Sequence, residues 1–178
     1  MDPKKIIKGK KILIVDDEQD ILDTLTELLQ TCKLDSAGSF EQAKALLEKN
    51  DYHVAILDIM GVGGFELLRI AKDRGIPALM LTAHGLSEKN LKRAAEEGAS
   101  YYAPKEEINR IEAFVADVIR AKEEKRNPWV RWLESLGDFY DKKFTGPNWR
   151  EKESKFWEKK LRDHAQDPPS VKPKEKTI

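Results

Sequence analysis

Only one cysteine, Cys32, occurs in the 178 residues, so no disulfide forms within the chain. The fold therefore does not depend on an oxidising compartment. No apolar run approaches the roughly 18 residues of a spanning helix. The opening MDPKKIIKGKK is basic but lacks the apolar core of a signal peptide. These absences lead to the expectation of a cytoplasmic protein. A charge excess is also missing, since 32 Lys and Arg face 32 Asp and Glu. Nothing in that balance points to nucleic acid or a membrane surface. Tryptophan is absent until Trp129; Trp132, Trp149 and Trp157 follow. The chain thus has two parts of different character.

The first part alternates short apolar runs with helical patterns. Ile12 to Val15 is a continuous apolar run, which suits a strand buried on both faces. Ile21, Leu22, Leu25, Leu28, Leu29 and Cys32 then form an amphipathic stripe, which places Cys32 on the apolar face of a helix. A weak strand follows at Leu34 to Ala37. Ser39 with Gln42 reads as a capping box for a helix carrying Phe40, Ala43, Leu46 and Leu47. Val54 to Leu57 is the next run and ends on Asp58. A glycine-rich loop, Gly61 to Gly64, opens a helix with Phe65, Leu67, Leu68 and Ala71, closed by Gly75. Ala78 to Leu81 ends on Thr82. Ser87 caps a helix with Leu91, Ala94 and Ala95, closed by Gly98. Ser100 to Ala103 leads through Pro104 to Lys105, and a last helix carries Ile108, Ile111, Phe114, Val115, Val118 and Ile119. Five strand–helix units in succession predict an α/β fold of three layers, with a five-stranded parallel sheet between helices. In such sheets the site lies beyond the carboxyl ends of the strands.

The residues at those ends are Asp16 and Asp17, Asp58, Thr82 and Lys105. Any one alone is an ordinary helix cap, turn residue or solvated lysine. Together, each after its own strand, they converge on one rim. Packed carboxylates repel unless neutralised. A hard divalent cation with oxygen ligands does this, and Mg2+ leaves room for a phosphate oxygen. With a lysine and a hydroxyl alongside, the set forms a cradle for a transferred phosphoryl group. Asp58, on the middle strand, is the candidate nucleophile.

Residues 10 to 122 resemble the receiver domain of two-component response regulators. The resemblance lies in ILIVDDE, VAILDIM, LMLTAHG and GASYYAPK. It implies strand order 2-1-3-4-5 and a phosphoacceptor at Asp58. It also implies Mg2+ held by Asp16, Asp17, Asp58 and the backbone carbonyl of Met60. Thr82 and Lys105 would bind phosphoryl oxygens, and Thr82 and Tyr102 would act as the switch. The implied donor is a histidine kinase or phosphotransfer protein. The chain departs from the family pattern in three places. The loop DIMGVGGFELL is about two residues short and has Val62 where a proline is usual. Glu106 instead of proline follows Lys105, so a trans bond is expected there. Met60 and His84 occupy variable positions beside the site.

Residues 1–9 read as a tail and 123–166 as a small helical extension, with a disordered tail at 167–178 that holds three prolines. Two helices are expected in the extension. Asn127-Pro128 starts the first, a turn lies at 145–148, and Trp149, Phe156, Trp157 and Leu161 mark the second. Counted from Asn127, twelve Lys and Arg stand against nine Asp and Glu, a net +3. That interleaved charge tracks a phosphate backbone poorly and argues against DNA or a membrane as partner. The expectation is an aromatic hairpin that docks on the receiver or on a second copy through Trp129, Trp132, Phe139, Trp149 and Trp157. Two alternatives remain, the first resting on the extension and the second on the receiver fold with its close pair Asp16 and Asp17. One is a transcription regulator binding DNA through Lys159, Lys160 and Arg162. The other is a phosphatase-like hydrolase.

Overall fold

The computed structural model describes residues 2–83, 86–144, 146 and 148–162. They divide into two compact units, Met1–Ile119 and Arg120–Ile178. In the first, strands β1 (Lys11–Val15), β2 (Lys33–Ala37), β3 (Val54–Leu57), β4 (Ala78–Thr82) and β5 (Tyr101–Pro104) form one sheet. All pairings are parallel and the order is β2-β1-β3-β4-β5. The connecting helices are α2 (Gln19–Leu28), α3 (Phe40–Lys49), α4 (Gly64–Asp73) and α5 (Glu88–Glu96). They follow α1 (Pro3–Ile7), and α6 (Ile111–Glu123) succeeds β5.

The continuous apolar runs are continuous because helices cover both faces of the sheet. Ile12 to Val15, Val54 to Leu57 and Ala78 to Leu81 are all buried. The weakly apolar β2 lies at one edge, where only Ala37 is buried. β5 is the other edge, which is where a strand tolerates Pro104 with its missing N–H. Ser39 and Ser87 cap α3 and α5 by accepting from the N–H of Gln42 and Asn90. Gln42 reaches back one residue further than a capping box requires, and its Oε1 accepts from Gly38 N at 3.0 Å.

Several expectations are corrected. Residues 1–9 are no bare tail: Asp2 caps α1, Pro3 occupies its first turn and Ile7 is fully buried. Cys32 is not on a helix. α2 ends at Leu28, and Cys32 lies in the turn before β2, half-buried, with Sγ 3.4 Å from the Ile7 carbonyl. The apolar spacing runs on because Leu29 still faces the core after the helix has stopped. Ile108 belongs to a 3-10 segment, Lys105–Arg110, rather than to α6.

In the second unit, Asn127 caps α7 (Pro128–Lys143) by accepting from Trp129 N at 2.9 Å. The expected second helix is two, α8 (Asn148–Lys152) and α9 (Ser154–Arg162). A continuous helix would separate Trp149 and Trp157 by about 12 Å of rise. Their rings lie 5.4 Å apart, edge to face, so the chain breaks between them. Trp132 is fully buried and contacts Trp129, Tyr140, Trp149 and Trp157. The four tryptophans expected as a docking surface are thus buried and engaged with one another, while Phe139 is half-buried. Four large rings in a short segment need cover, and here they pack against one another. Thr145 and Pro147 of the expected turn, His84 and the tail 167–178 lie outside the described residues.

Candidate functional site

The strand register builds the site. Val15 pairs with Leu57, so Asp16 and Asp58 are the next residues on neighbouring strands. Backbone bonds carry the ladder one step further, from Asp16 N to Ala37 O at 3.2 Å and from Asp58 N to Val15 O at 3.1 Å. Thr82 ends β4 and pairs with Pro104, the residue before Lys105. One oxygen from each of Asp16, Asp17 and Asp58 lies within 4.8 Å of the others. Asp16 and Asp58 are buried and Asp17 is exposed.

Lys105 closes the cluster. Its Nζ lies 2.8 Å from Asp16 Oδ2, 3.0 Å from Glu18 Oε1 and 3.4 Å from Asp58 Oδ1. Its side chain is only 8% exposed. Burial works against its charge, but the bonds to Asp16 and Glu18 and the field of Asp58 hold its pKa above the usual lysine value. One ammonium among four carboxylates leaves the cluster under-compensated. Burial, then the charge of Asp16, push the Asp58 carboxyl up to about 6; Lys105 opposes this and Asp17 adds to it. An open cavity of about 330 Å³ lies beside the acids, lined by Asp17, Glu18, Asp58, Met60 and Gly61. The donors are oxygens only, the local charge is negative and the space is open on one side. This set fits a hard divalent cation.

The short loop after β3 has its own fit. Val62 is buried. Gly61 and Gly63 have φ of +87° and +68°, which glycine adopts without strain. A Cβ on Gly61 would collide with the Asp17 carboxylate, 2.7 Å from its Cγ. A Cβ on Gly64 would strike the Asp58 carbonyl oxygen and lie 2.7 Å from Ile59 Cα. The chain after β3 thus passes tight against the Asp17 carboxylate and the main chain of Asp58.

The structure brings Asp16, Asp17, Asp58 and Lys105 together, with Met60 on the cavity wall. Thr82 is fully buried at its strand end. Tyr102 is fully buried too, and its hydroxyl accepts from Ser87 N at 3.3 Å. Burial pushes its pKa up. The aromatic ring expected as part of the switch thus lies inside the receiver. Sequence reasoning gave no site role to Glu18 or Gly61. Glu18 stands next to the acidic pair, but its contact is 87 residues away and leaves no local pattern. Gly61 carried a signal, since a glycine in a shortened loop marks a close approach.

A family model described as response regulator receiver domain matches residues 12–116. The chain belongs to this family. The heme response regulators HssR of Staphylococcus haemolyticus (strain JCSC1435) and Staphylococcus aureus (strain bovine RF122 / ET3-1) are 39% and 41% identical over 101 and 99 residues. Those stretches are 53% and 52% of this chain. The chain spans less than half the length of these curated relatives, 44% and 43%. Among solved structures, a CheY-like receiver domain protein from Methanospirillum hungatei JF-1 aligns with a TM-score of 0.55 at 27% identity. That alignment covers 64% of this chain and 98% of the other. A receiver domain protein from Clostridium thermocellum gives a TM-score of 0.55 at 29% identity, covering 64% and 97%. This receiver is thus a signalling module by family, and receivers bind Mg2+ at such an acidic pocket. No described helix is long and apolar enough to cross a membrane.

Proposed function

We propose that this receiver takes a phosphoryl group onto Asp58 from the phosphohistidine of a histidine kinase or phosphotransfer protein. The observation that carries the reading is the buried Asp58 carboxylate, 3.4 Å from Lys105 Nζ and beside Asp16 and Asp17. A carboxylate oxygen of Asp58 attacks phosphorus, the phosphorus–nitrogen bond breaks, and the imidazole leaves. The product is an acyl phosphate on Asp58. Asp16, Asp17, Asp58 and the Met60 carbonyl are the residues that would hold Mg2+, which when bound compensates charge on the phosphoryl oxygens. Lys105 places its ammonium against the same oxygens and Thr82 offers its hydroxyl. The added charge of about −1.5 to −2 then biases the contacts of Thr82. Tyr102, already buried, keeps the start of α5 in place through Ser87. Chemistry beyond self-phosphorylation and autodephosphorylation is not part of this reading.

The test is incubation of the full chain with Mg2+ and acetyl phosphate, followed by intact-mass and peptide analysis. A phosphoryl adduct on Asp58, absent in Asp58→Asn, is expected. An equal adduct in Asp58→Asn overturns the assignment.

A further inference from the structure

We propose that Glu18 is a positioning residue that holds Lys105 before phosphoryl transfer and competes with the phosphoryl group for it. The inference rests on the reading of Asp58 as phosphoacceptor. An ammonium has three N–H bonds. Those of Lys105 face three carboxylate oxygens, on Asp16, Glu18 and Asp58. A phosphoryl oxygen therefore gains Lys105 only by displacing one of them. The side chain of Asp16 is 2% exposed, and its second oxygen accepts from Glu18 N at 2.9 Å. Releasing it would strand a buried charge. Asp58 is itself the acceptor. Glu18 is 53% exposed, so water takes over its carboxylate at small cost once the lysine leaves.

Among the described residues, the side chain of Glu18 bonds to Lys105 and to no other group. Glu18 is the N-cap residue of α2, yet it makes no side-chain capping bond. Its backbone carbonyl accepts from Ile21 and Leu22, so the helix start survives replacement of the side chain. The carboxylate also lines the same cavity as Asp17, Asp58, Met60 and Gly61. It stands where an incoming phosphoryl group would meet it, and like charge adds repulsion to the competition for Lys105.

The experiment compares the full-length wild type with Glu18→Gln and Glu18→Ala. The Lys105 ammonium resonance is recorded by NMR before any ligand is added. The chain is then titrated with beryllium fluoride in Mg2+, at low and at high salt. Both variants should shift the Lys105 resonance. Both should also bind beryllium fluoride about two- to fivefold more tightly, the span of an exposed ion pair. The gain should shrink at high salt. A role in shape or packing would leave Glu18→Gln like the wild type, whereas competition by charge makes it resemble Glu18→Ala. An unmoved Lys105 resonance, or unchanged or weaker binding in both variants, overturns the role of Glu18. Binding to Asp58→Asn as tight as to the wild type would overturn the assignment of Asp58 and with it this inference.

Discussion

The carboxylate of Asp17 lies against the bare Cα of Gly61, closer than any side chain at that position would allow. Asp17 is exposed, so it can turn away when pushed, and the loop backbone cannot. Gly61→Ala is thus expected to remove Asp17 from the acidic cluster. It should also add backbone strain of about 1–3 kcal/mol, because φ is +87°. Calorimetric titration should show Mg2+ binding at least about tenfold weaker, the loss of one of few carboxylate ligands. Gly63→Ala is the control. It carries similar strain at φ +68° but meets Phe40 instead of an acid, so its Mg2+ affinity should stay near that of the wild type.

Gly64→Ala should act on folding. The added Cβ meets main-chain atoms of Asp58 and Ile59, which have no rotamer to change. A loss of about 2–3 kcal/mol is expected in denaturant unfolding of the receiver, with or without Mg2+.

Asp58 supplies a pH dependence with a definite sign. Its folded pKa is raised to about 6 from 3.8, first by burial and then by the charge of Asp16. The folded state therefore holds a proton that the unfolded state has lost between those values. Without a divalent cation, stability falls as pH rises through this window, by about 3 kcal/mol in all. Below pH 3.8 the penalty is absent, and above about 6 it is complete. Asp58→Asn should be more stable than the wild type at pH 7 in EDTA and lose that advantage near pH 4. Thermal or urea unfolding across this range is the measurement. Equal stability at pH 7 would contradict the raised pKa.

Most of the sheet was legible because the apolar runs of β1, β3, β4 and β5 are short and lead onto polar residues, whereas β2 carries only a weak pattern. Each such end marks a position on the same rim, so Asp16, Asp58, Thr82 and Lys105 could be placed without contacts. Three kinds of feature were hidden. Glu18 meets Lys105 through the fold alone, and no spacing along the chain encodes that pair. α1 is five residues long, too short for a period, although Asp2-Pro3 is a helix start in miniature. The break between α8 and α9 has neither glycine nor proline. It follows from the need to bring Trp149 and Trp157 together, which is tertiary information. Cys32 misled because burial continues past the end of α2, so the stripe outlasts the helix.

Tyr102→Phe tests the buried ring. The hydroxyl accepts from Ser87 N, and Ser87 caps α5. Its loss leaves that N–H without this acceptor, at a cost of about 1 kcal/mol. Faster amide exchange over the first turn of α5 is expected. The Asp58 cluster is untouched, so the extent of acetyl phosphate labelling should be unchanged. A large drop in labelling would mean that Tyr102 acts on the site itself.

Asn127 binds both ends of the extension. Its Oδ1 accepts from Trp129 N at 2.9 Å, and its Nδ2 donates to the Lys160 carbonyl at 2.6 Å. The first bond starts α7 and the second holds the last turn of α9. Asn127 is buried, so either bond is shielded from water at its side-chain end and its loss is felt. Asn127→Ser keeps a capping oxygen and gives up the donor, whereas Asn127→Ala gives up both. Losses of about 1–2 and about 2–4 kcal/mol are expected, in that order. Tryptophan emission reads this unit alone, because residues 1–128 contain no tryptophan. Denaturant titration by emission should therefore rank the variants as wild type, Asn127→Ser, Asn127→Ala. If Asn127→Ser and Asn127→Ala fall together, the cap contributes nothing and the stabilisation comes from the Lys160 contact; if Asn127→Ser matches the wild type, the cap carries it all.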